Sequence, residues 1–272
     1  MTIAPQSLLF VPGSRPERFA KAVASGADLI CIDLEDAVAA DAKETARAAA
    51  LAAMGDPRLA IRINACTSSL GAADLAAICA AVVKPGVVLV PMVENAAALA
   101  DATAQCVAAG INLMPLIETP KGLRLAYEIG ATPGVIGLMF GGADFAAEIG
   151  CDLAWEPLRV ARGLLLIAAA EAGVQAIDVP WIRLDDPAGL RAECLQAKAL
   201  GFAGKAAIHP DQIATIHGVF RPTTAQIAEA EAAEAAFAAA GGAAVRFNGK
   251  MLEAPVVKRY RQTLALKDKI DA

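Results

Sequence analysis

No Cys-x-x-Cys pair occurs in this 272-residue chain; its six cysteines, Cys31, Cys66, Cys79, Cys106, Cys151 and Cys194, lie far apart. That spacing argues against a zinc site and against a disulfide framework, and reads as reduced thiols in a cytoplasmic protein. An excess of basic residues is also missing. The formal net charge is -5, with Lys and Arg scattered along the chain, so there is no electrostatic footprint for nucleic acid and small-molecule chemistry is the starting expectation. No apolar run approaches the roughly 20 residues that a membrane span needs, and no basic-then-apolar leader precedes Ser7. The turn after the first apolar run reads Val11-Pro12-Gly13-Ser14-Arg15, without the Gly-x-Gly-x-x-Gly of a dinucleotide fold, and a P-loop is absent too.

What the chain does carry is a pair of acidic segments, Leu116-Ile117-Glu118-Thr119 and Gly141-Gly142-Ala143-Asp144-Phe145, each after a short apolar run. The runs Ile111 to Ile117 and Val135 to Phe140 fit strands buried on both faces. Between them Pro120 to Ile129 reads as a helix, with Thr119 placed to cap it and Pro120 at its first position. Strand, helix, strand order puts Glu118 and Asp144 at the same end of neighbouring strands. A lone acid there can serve simply as a helix cap; two in register resemble a divalent-metal site.

The same alternation runs along the chain. Strands are expected at Leu8 to Val11, Leu29 to Leu34, Ala60 to Ile63, Val87 to Val90, Leu113 to Ile117, Val135 to Phe140, Gln175 to Val179 and Lys205 to Ile208. Helices are expected at Pro16 to Ala24, Asp41 to Met54, Ala72 to Val83, Ala96 to Ala109, Pro157 to Ala172 and Pro187 to Leu200. Such repeated units predict an α/β fold, a (β/α)8 TIM barrel over residues 1–220 with reacting groups at the carboxyl ends of its strands. Residues 221–272 change character. An Ala/Glu-rich helix from Thr223 to Ala240, then Gly241-Gly242, then a basic helix from Pro255 onward, form a C-terminal helical extension or lid that could contact a neighbouring subunit.

On this layout the strand ends carry Arg15, Asp33, Glu35, Asp36, Arg62, Asn64, Glu118, Asp144 and His209. Hard oxygen donors of this kind favour Mg²⁺ over zinc or copper, and two protein carboxylates leave positions for substrate oxygens and water. Arg62 and Asn64 share one strand face. A guanidinium pointing into a barrel needs an acid or a ligand carboxylate, so an internal salt bridge to Asp33 or Glu35 and a substrate contact both remain open. Arg15, with Arg18 and Lys21, could meet phosphates or simply lie in solvent. Cys66 is a candidate pocket residue, His209 is open between catalytic and structural roles, and His217 is read as structural.

Six blocks in order, Leu9-Phe10-Val11-Pro12-Gly13-x-Arg15-Pro16-Glu17-Arg18, Asp33-Leu34-Glu35-Asp36-Ala37-Val38, Arg62-Ile63-Asn64, Leu116-Ile117-Glu118-Thr119, Gly141-Gly142-Ala143-Asp144 and Gly201-Phe202-x-Gly204-Lys205-x-x-Ile208-His209-Pro210, resemble the citrate lyase β-subunit family. That family lies within the aldolase and citrate lyase superfamily, which includes malyl-CoA and citramalyl-CoA lyases. The resemblance implies a Mg²⁺-dependent carbon–carbon lyase acting on a CoA thioester. Glu118 and Asp144 would be metal ligands, Arg62, Asn64 and Glu118 would surround the substrate oxygens, and Arg15, Arg18 and Lys21 would meet the CoA phosphates. Asp33 and Glu35 would assist Arg62 in catalysis. Gly249-Lys250-Met251-Leu252-Glu253-Ala254-Pro255 is similar to a segment that brings an acid to a neighbouring subunit's site, with Glu253 where those lyases carry aspartate. Pro91-Met92 stands where many relatives have Pro-Lys. The resemblance also implies a homo-oligomer, trimeric or hexameric. A CoA-independent 2-oxo acid aldolase, and a non-catalytic subunit that depends on an acyl-carrier protein, are the alternatives.

Overall fold

The structure, a computed structural model, describes residues 4–271. Eight parallel strands close into a barrel in sequence order, β1 (Ser7–Pro12), β2 (Leu29–Asp33), β3 (Leu59–Arg62), β4 (Val87–Val90), β5 (Asn112–Ile117), β6 (Gly137–Phe140), β7 (Gln175–Asp178) and β8 (Gly204–Ala207). Pairing of Ser7 with Lys205 closes the ring. The helices that return the chain are α1 (Phe19–Ala24), α2 (Lys43–Ala53), α3 (Ser69–Ala80), α4 (Ala100–Ala108), α5 (Pro120–Arg124), α6 (Ala126–Gly130), α7 (Gly142–Ile149), α8 (Trp155–Glu171), α9 (Pro187–Leu200) and α10 (Ile213–Phe220). The expected (β/α)8 barrel is the observed fold.

Strand alternation explains the continuous apolar runs. Leu8, Cys31, Ala60, Leu89, Met114, Leu116, Met139, Ile177 and Ala206 form one cluster inside the barrel. The intervening Ile30, Ile32, Ile61 and Val88 are equally buried, on the face that the helices cover. Helix starts follow local capping chemistry. Ser68 accepts from Gly71 N at 3.0 Å and begins α3 three residues earlier than periodicity suggests. Thr119 accepts from Gly122 N at 3.0 Å, with Pro120 in the first turn. The single helix expected from Pro120 to Ile129 is broken at Leu125, whose N–H is shared between the carbonyls of Lys121 and Gly122 at 3.2 Å each, a local tightening toward 3₁₀ geometry.

Between the barrel wall and α8 and α9 lies a buried charge network not foreseen from sequence. Lys205 Nζ donates to Asp178 Oδ2 at 2.8 Å, Glu193 Oε1 at 2.7 Å and the Val179 carbonyl at 2.6 Å. Arg162 Nε donates to Asp178 Oδ1 at 2.7 Å, and its guanidinium lies over the rings of Phe140 and Trp155. Two cations and two carboxylates thus pair away from water, with Arg162 Nη1 left without a hydrogen-bond partner among the described residues. At the amino end of the barrel Asp28 Oδ2 accepts from Gln6 N and Ser7 N, and Ser7 Oγ meets His217 Nε2 at 2.7 Å. His217 is engaged there, at the end away from the strand carboxyl termini.

The chain divides after Gly218 into two compact units. Within the second, α11 (Thr224–Ala239), the antiparallel pair β9 (Val245–Phe247) and β10 (Lys250–Leu252), and α12 (Ala254–Asp271) enclose a small core of Ala233, Leu252 and Val257, against which Phe237, Phe247 and Tyr260 pack. Asn248 and Gly249 join the hairpin at φ +46° and +77°, the sign pair that a two-residue type I′ turn requires. Arg261 clamps both oxygens of Glu234 at 2.9 and 2.6 Å. Among the described residues no helix is long and apolar enough to cross a membrane.

Candidate active site

Register brings the first charged pair together. Asp33 on β2 lies directly beside Arg62 on β3, and both side chains turn inward at the carboxyl end of the barrel. Arg62 donates from Nε to Asp33 Oδ1 and from Nη2 to Asp33 Oδ2, both at 2.7 Å, the bidentate fork that best matches a carboxylate. Its Nη1 lies 2.8 Å from Glu35 Oε2 and 3.5 Å from Asp36 Oδ2, and the guanidinium lies over the Phe10 ring at 5.2 Å. Of the two roles left open, the internal salt bridge is made, with Arg62 still facing the pocket. Asp33 is fully spent, since its oxygens also accept from Glu35 N at 2.9 Å and Ala37 N at 3.2 Å.

Glu118 follows β5 and lies across Gly141, whose N–H is donated to the Ile117 carbonyl. A Cβ at position 141 would overlap Glu118 Cγ and come within 2.6 Å of Oε1, so glycine is what gives the carboxylate room. Met92 N donates to Glu118 Oε2 at 2.6 Å, and Met92 adopts φ +54°, a left-handed conformation unusual for a residue with a side chain. Asp144 sits in the first turn of α7, a helix missed from sequence because it opens on two glycines.

Asp33, Asp36, Arg62, Glu118 and Asp144 share one pocket of about 380 Å³ with Phe10, Leu116, Met139, Val179 and Ile208. Among the described residues no group of three or more His, Cys, Asp or Glu side chains is arranged to hold a metal by itself. Other expected site residues lie elsewhere. Asn64 gives its amide to Asp74 Oδ2 at 2.6 Å, the same carboxylate that Arg47 grips at 2.6 Å, so it is tied into the barrel wall. Arg15, Arg18 and Lys21 are exposed and do not line the pocket. Cys66 Sγ points at the Ala98 carbonyl at 3.0 Å, and His209 accepts from Asp211 N at 3.3 Å. Glu253 belongs to the second unit, where its carbonyl accepts from the first turn of α12. Phe10, Leu116 and Met139 went unremarked as pocket residues, although strand parity alone places them on the inner face.

Residues 6–210 match the model of the HpcH/HpaI aldolase/citrate lyase family. The chain belongs to that family. Membership places it among the lyases. A (3S)-malyl-CoA thioesterase of Cereibacter sphaeroides is 36% identical to it, covering 98% of this chain and 96% of the relative. The citrate lyase subunit beta of Escherichia coli is 35% identical, covering 96% and 92%. Among solved structures, the protein CitE of Mycobacterium tuberculosis, in complex with magnesium, acetoacetate and coenzyme A, superposes with a TM-score of 0.80 at 34% identity, covering 96% of this chain and 97% of that one.

Three acids at this end of the barrel, Glu118, Asp144 and Glu35, are held above the ordinary carboxylate range. Burial pushes Glu118 up to about 7, offset in part by the Met92 N–H and Arg62, with Asp144 and Asp36 adding repulsion. Asp144 is raised as well, by burial first and then by Asp36. Glu35 is pushed up to about 8, chiefly by burial and against the pull of Arg62, while its contact with Asp36 and the charge of Glu118 add to the rise. Three neighbouring acids raised by burial and by mutual repulsion make a site in which a cation would be stabilising.

Proposed function

We propose that this chain is a Mg²⁺-dependent carbon–carbon lyase that reversibly cleaves a 3-hydroxyacyl thioester of citryl, malyl or citramalyl type into a 2-oxo acid and a shorter acyl thioester. The observation that carries this reading is the meeting of Glu118, Asp144 and Arg62 in one pocket at the carboxyl end of the barrel. The donor set fits the cation. Both groups are hard carboxylates raised chiefly by burial and further by neighbouring acids, repulsion that a bound cation would relieve, and Met92 N–H occupies only one oxygen of Glu118, leaving Oε1 for a ligand. Magnesium, acetoacetate and coenzyme A in the CitE structure support the same cofactors here.

Bound Mg²⁺ supplies Lewis-acid polarisation of substrate oxygens. Glu118 and Asp144 hold it. Arg62, oriented by Asp33 and Glu35, uses its remaining N–H groups to stabilise charge on the substrate's carboxylate and carbonyl oxygens. Glu35 Oε2 lies 2.8 Å from Arg62 Nη1, and with a value pushed up to about 8, chiefly by burial, Glu35 holds a proton at neutral pH beside the arginine that faces the substrate. In the cleavage the hydroxyl proton passes to solvent water as the C–O bond becomes a carbonyl. The C–C electron pair leaves with the thioester fragment, where a proton quenches it. Glu253, at the start of α12, is the proposed donor of that proton in a neighbouring subunit, and the proposed active assembly is a homotrimer or hexamer. Exposed Arg15, Arg18 and Lys21 are the proposed grip on the CoA phosphates. Six unpaired thiols support a cytoplasmic setting.

The (3S)-malyl-CoA thioesterase relative favours a second reading, hydrolysis of the thioester with the carbon skeleton intact. Mass spectrometry after incubation with citramalyl-, malyl- and citryl-CoA, with Mg²⁺ and again with EDTA, separates the two. A metal-dependent 2-oxo acid, formed in equal amount with a shorter acyl-CoA, is the result expected of the lyase. Free CoA with the undivided hydroxy acid would establish hydrolysis instead.

A further inference from the structure

Lys205 and Asp178 are direct neighbours across the β7–β8 register. Their sequence neighbours Ala206 and Ile177 belong to the cluster inside the barrel, so by alternation Lys205 and Asp178 face the helices and not the pocket. The Lys205 ammonium uses its three donors on Asp178, Glu193 and, at 2.6 Å, the carbonyl of Val179, a residue that lines the pocket. Arg162, 1% exposed, grips Asp178 from the other side and lays its guanidinium over the Phe140 ring, 5.5 Å from the centroid. Both arms of the network end on the same turn of helix. A Cβ at Gly142 would come within 3.0 Å of Phe140 Cε1 and 3.2 Å of Val179 Cγ1, so the first turn of α7 rests on these two side chains. Phe145 then packs its ring on Phe140, with 5.6 Å between centroids. Asp144 lies between the two contacts, in that same first turn.

We propose that Lys205, Asp178, Glu193 and Arg162 form a positioning network for Asp144: they fix Val179 and Phe140, which seat the first turn of α7 and so set where the Asp144 carboxylate stands relative to Glu118. This rests on the reading of Glu118 and Asp144 as the Mg²⁺ ligands. A buried ion network adds little net stability over an apolar filling of the same volume. It does enforce one arrangement, because any displaced charge in such an interior is left unpaired. The four residues thus act on the metal site from behind, through packing, without entering the pocket.

The test is calorimetric titration of the substrate-free protein with Mg²⁺, at a temperature well below the melting of every variant. Arg162→Met removes the guanidinium and keeps its apolar bulk. Phe140→Leu leaves all four charges in place and takes away the ring on which Arg162 lies, so it tests the relay even where Arg162→Met fails to fold. Arg47→Met is the comparison, since it deprives the buried Asp74 of its arginine in a separate ion pair between α2 and α3. The expected result is Mg²⁺ binding weakened by about 10-fold or more in Arg162→Met and Phe140→Leu, the size usual when a group that orients a metal ligand is lost, and within about 2-fold of wild type in Arg47→Met, although that variant melts lower. Wild-type affinity in the folded Arg162→Met and Phe140→Leu proteins, or an equal loss in all three variants, would reduce the network to structural support and overturn the proposal. A wild-type protein that binds no Mg²⁺ would remove the metal reading itself, and the positioning role with it.

Discussion

Replacing Glu118 by glutamine isolates what the buried carboxylate contributes. Glu118 is 3% exposed, and its rise from an ordinary 4.5 to about 7 amounts to about 3 kcal/mol charged against the ionised native state. The sign follows from proton linkage. Between 4.5 and about 7 the native protein holds a proton that the unfolded chain has lost, so this group's favourable contribution is complete below 4.5, shrinks as pH rises and is gone above about 7. The amide keeps the shape, and its oxygen still accepts from Met92 N–H. In EDTA at about pH 8 the Glu118→Gln protein should therefore be more stable by about 2–3 kcal/mol, which in a chain of this size is roughly 5–10 °C in Tm. The gap should close at about pH 4, where the carboxyl is protonated in both states. Excess Mg²⁺ should raise the wild-type Tm and leave the variant unmoved, since only a cation bound to the native state stabilises it. Thermal melts of both proteins, with EDTA and with Mg²⁺, read all of this. Equal melting in EDTA at about pH 8 would refute the cost assigned to burying the Glu118 carboxylate, and a variant still stabilised by Mg²⁺ would refute the assignment of Glu118 to the metal.

Gly141→Ala should displace the Glu118 side chain that it would overlap, lowering kcat by roughly 100-fold; an unchanged far-ultraviolet circular dichroism spectrum would confirm that the fold survives. Arg62→Lys gives up the two-pronged hold on Asp33 and should cost on the order of 10² to 10³ in kcat/KM, measured by steady-state kinetics. Lys205→Met removes the nearer of the two cations that Asp178 and Glu193 share, leaving them buried with Arg162 alone, and should cost about 3–5 kcal/mol in urea unfolding. Removing the exposed partner of Arg15 by Glu17→Ala, by contrast, should change stability by less than about 0.5 kcal/mol.

The barrel was legible because each strand is buried on both faces, so apolar runs such as Val87 to Val90 stand out without their surroundings. Asp144 was legible as an acid after a strand, yet its placement within a helix was not, because Gly141-Gly142 reads as a turn until the barrel fixes the chain there. Arg62 illustrates the limit of parity arguments. Alternation turns it inward, but only the β2–β3 register shows that Asp33 takes two of its donors. Asn64 follows the same parity and still fails to reach the pocket, since Asp74 on α3 captures its amide, a contact between residues of adjacent units that no periodicity encodes. Lys205 and Asp178 belong to the same class. Each looks like an isolated charge in an apolar strand, and the reason for both is visible only once β7 and β8 are adjacent.

The most direct test of the proposed metal site is a crystal structure of the protein soaked with Mn²⁺ and pyruvate, with the ion located by anomalous scattering. An anomalous peak bonded to one oxygen each of Glu118 and Asp144, with pyruvate oxygens completing the coordination on the Arg62 side of the pocket, is the expected result. A peak on any other carboxylates, or a pocket that binds pyruvate without an ion, would contradict it.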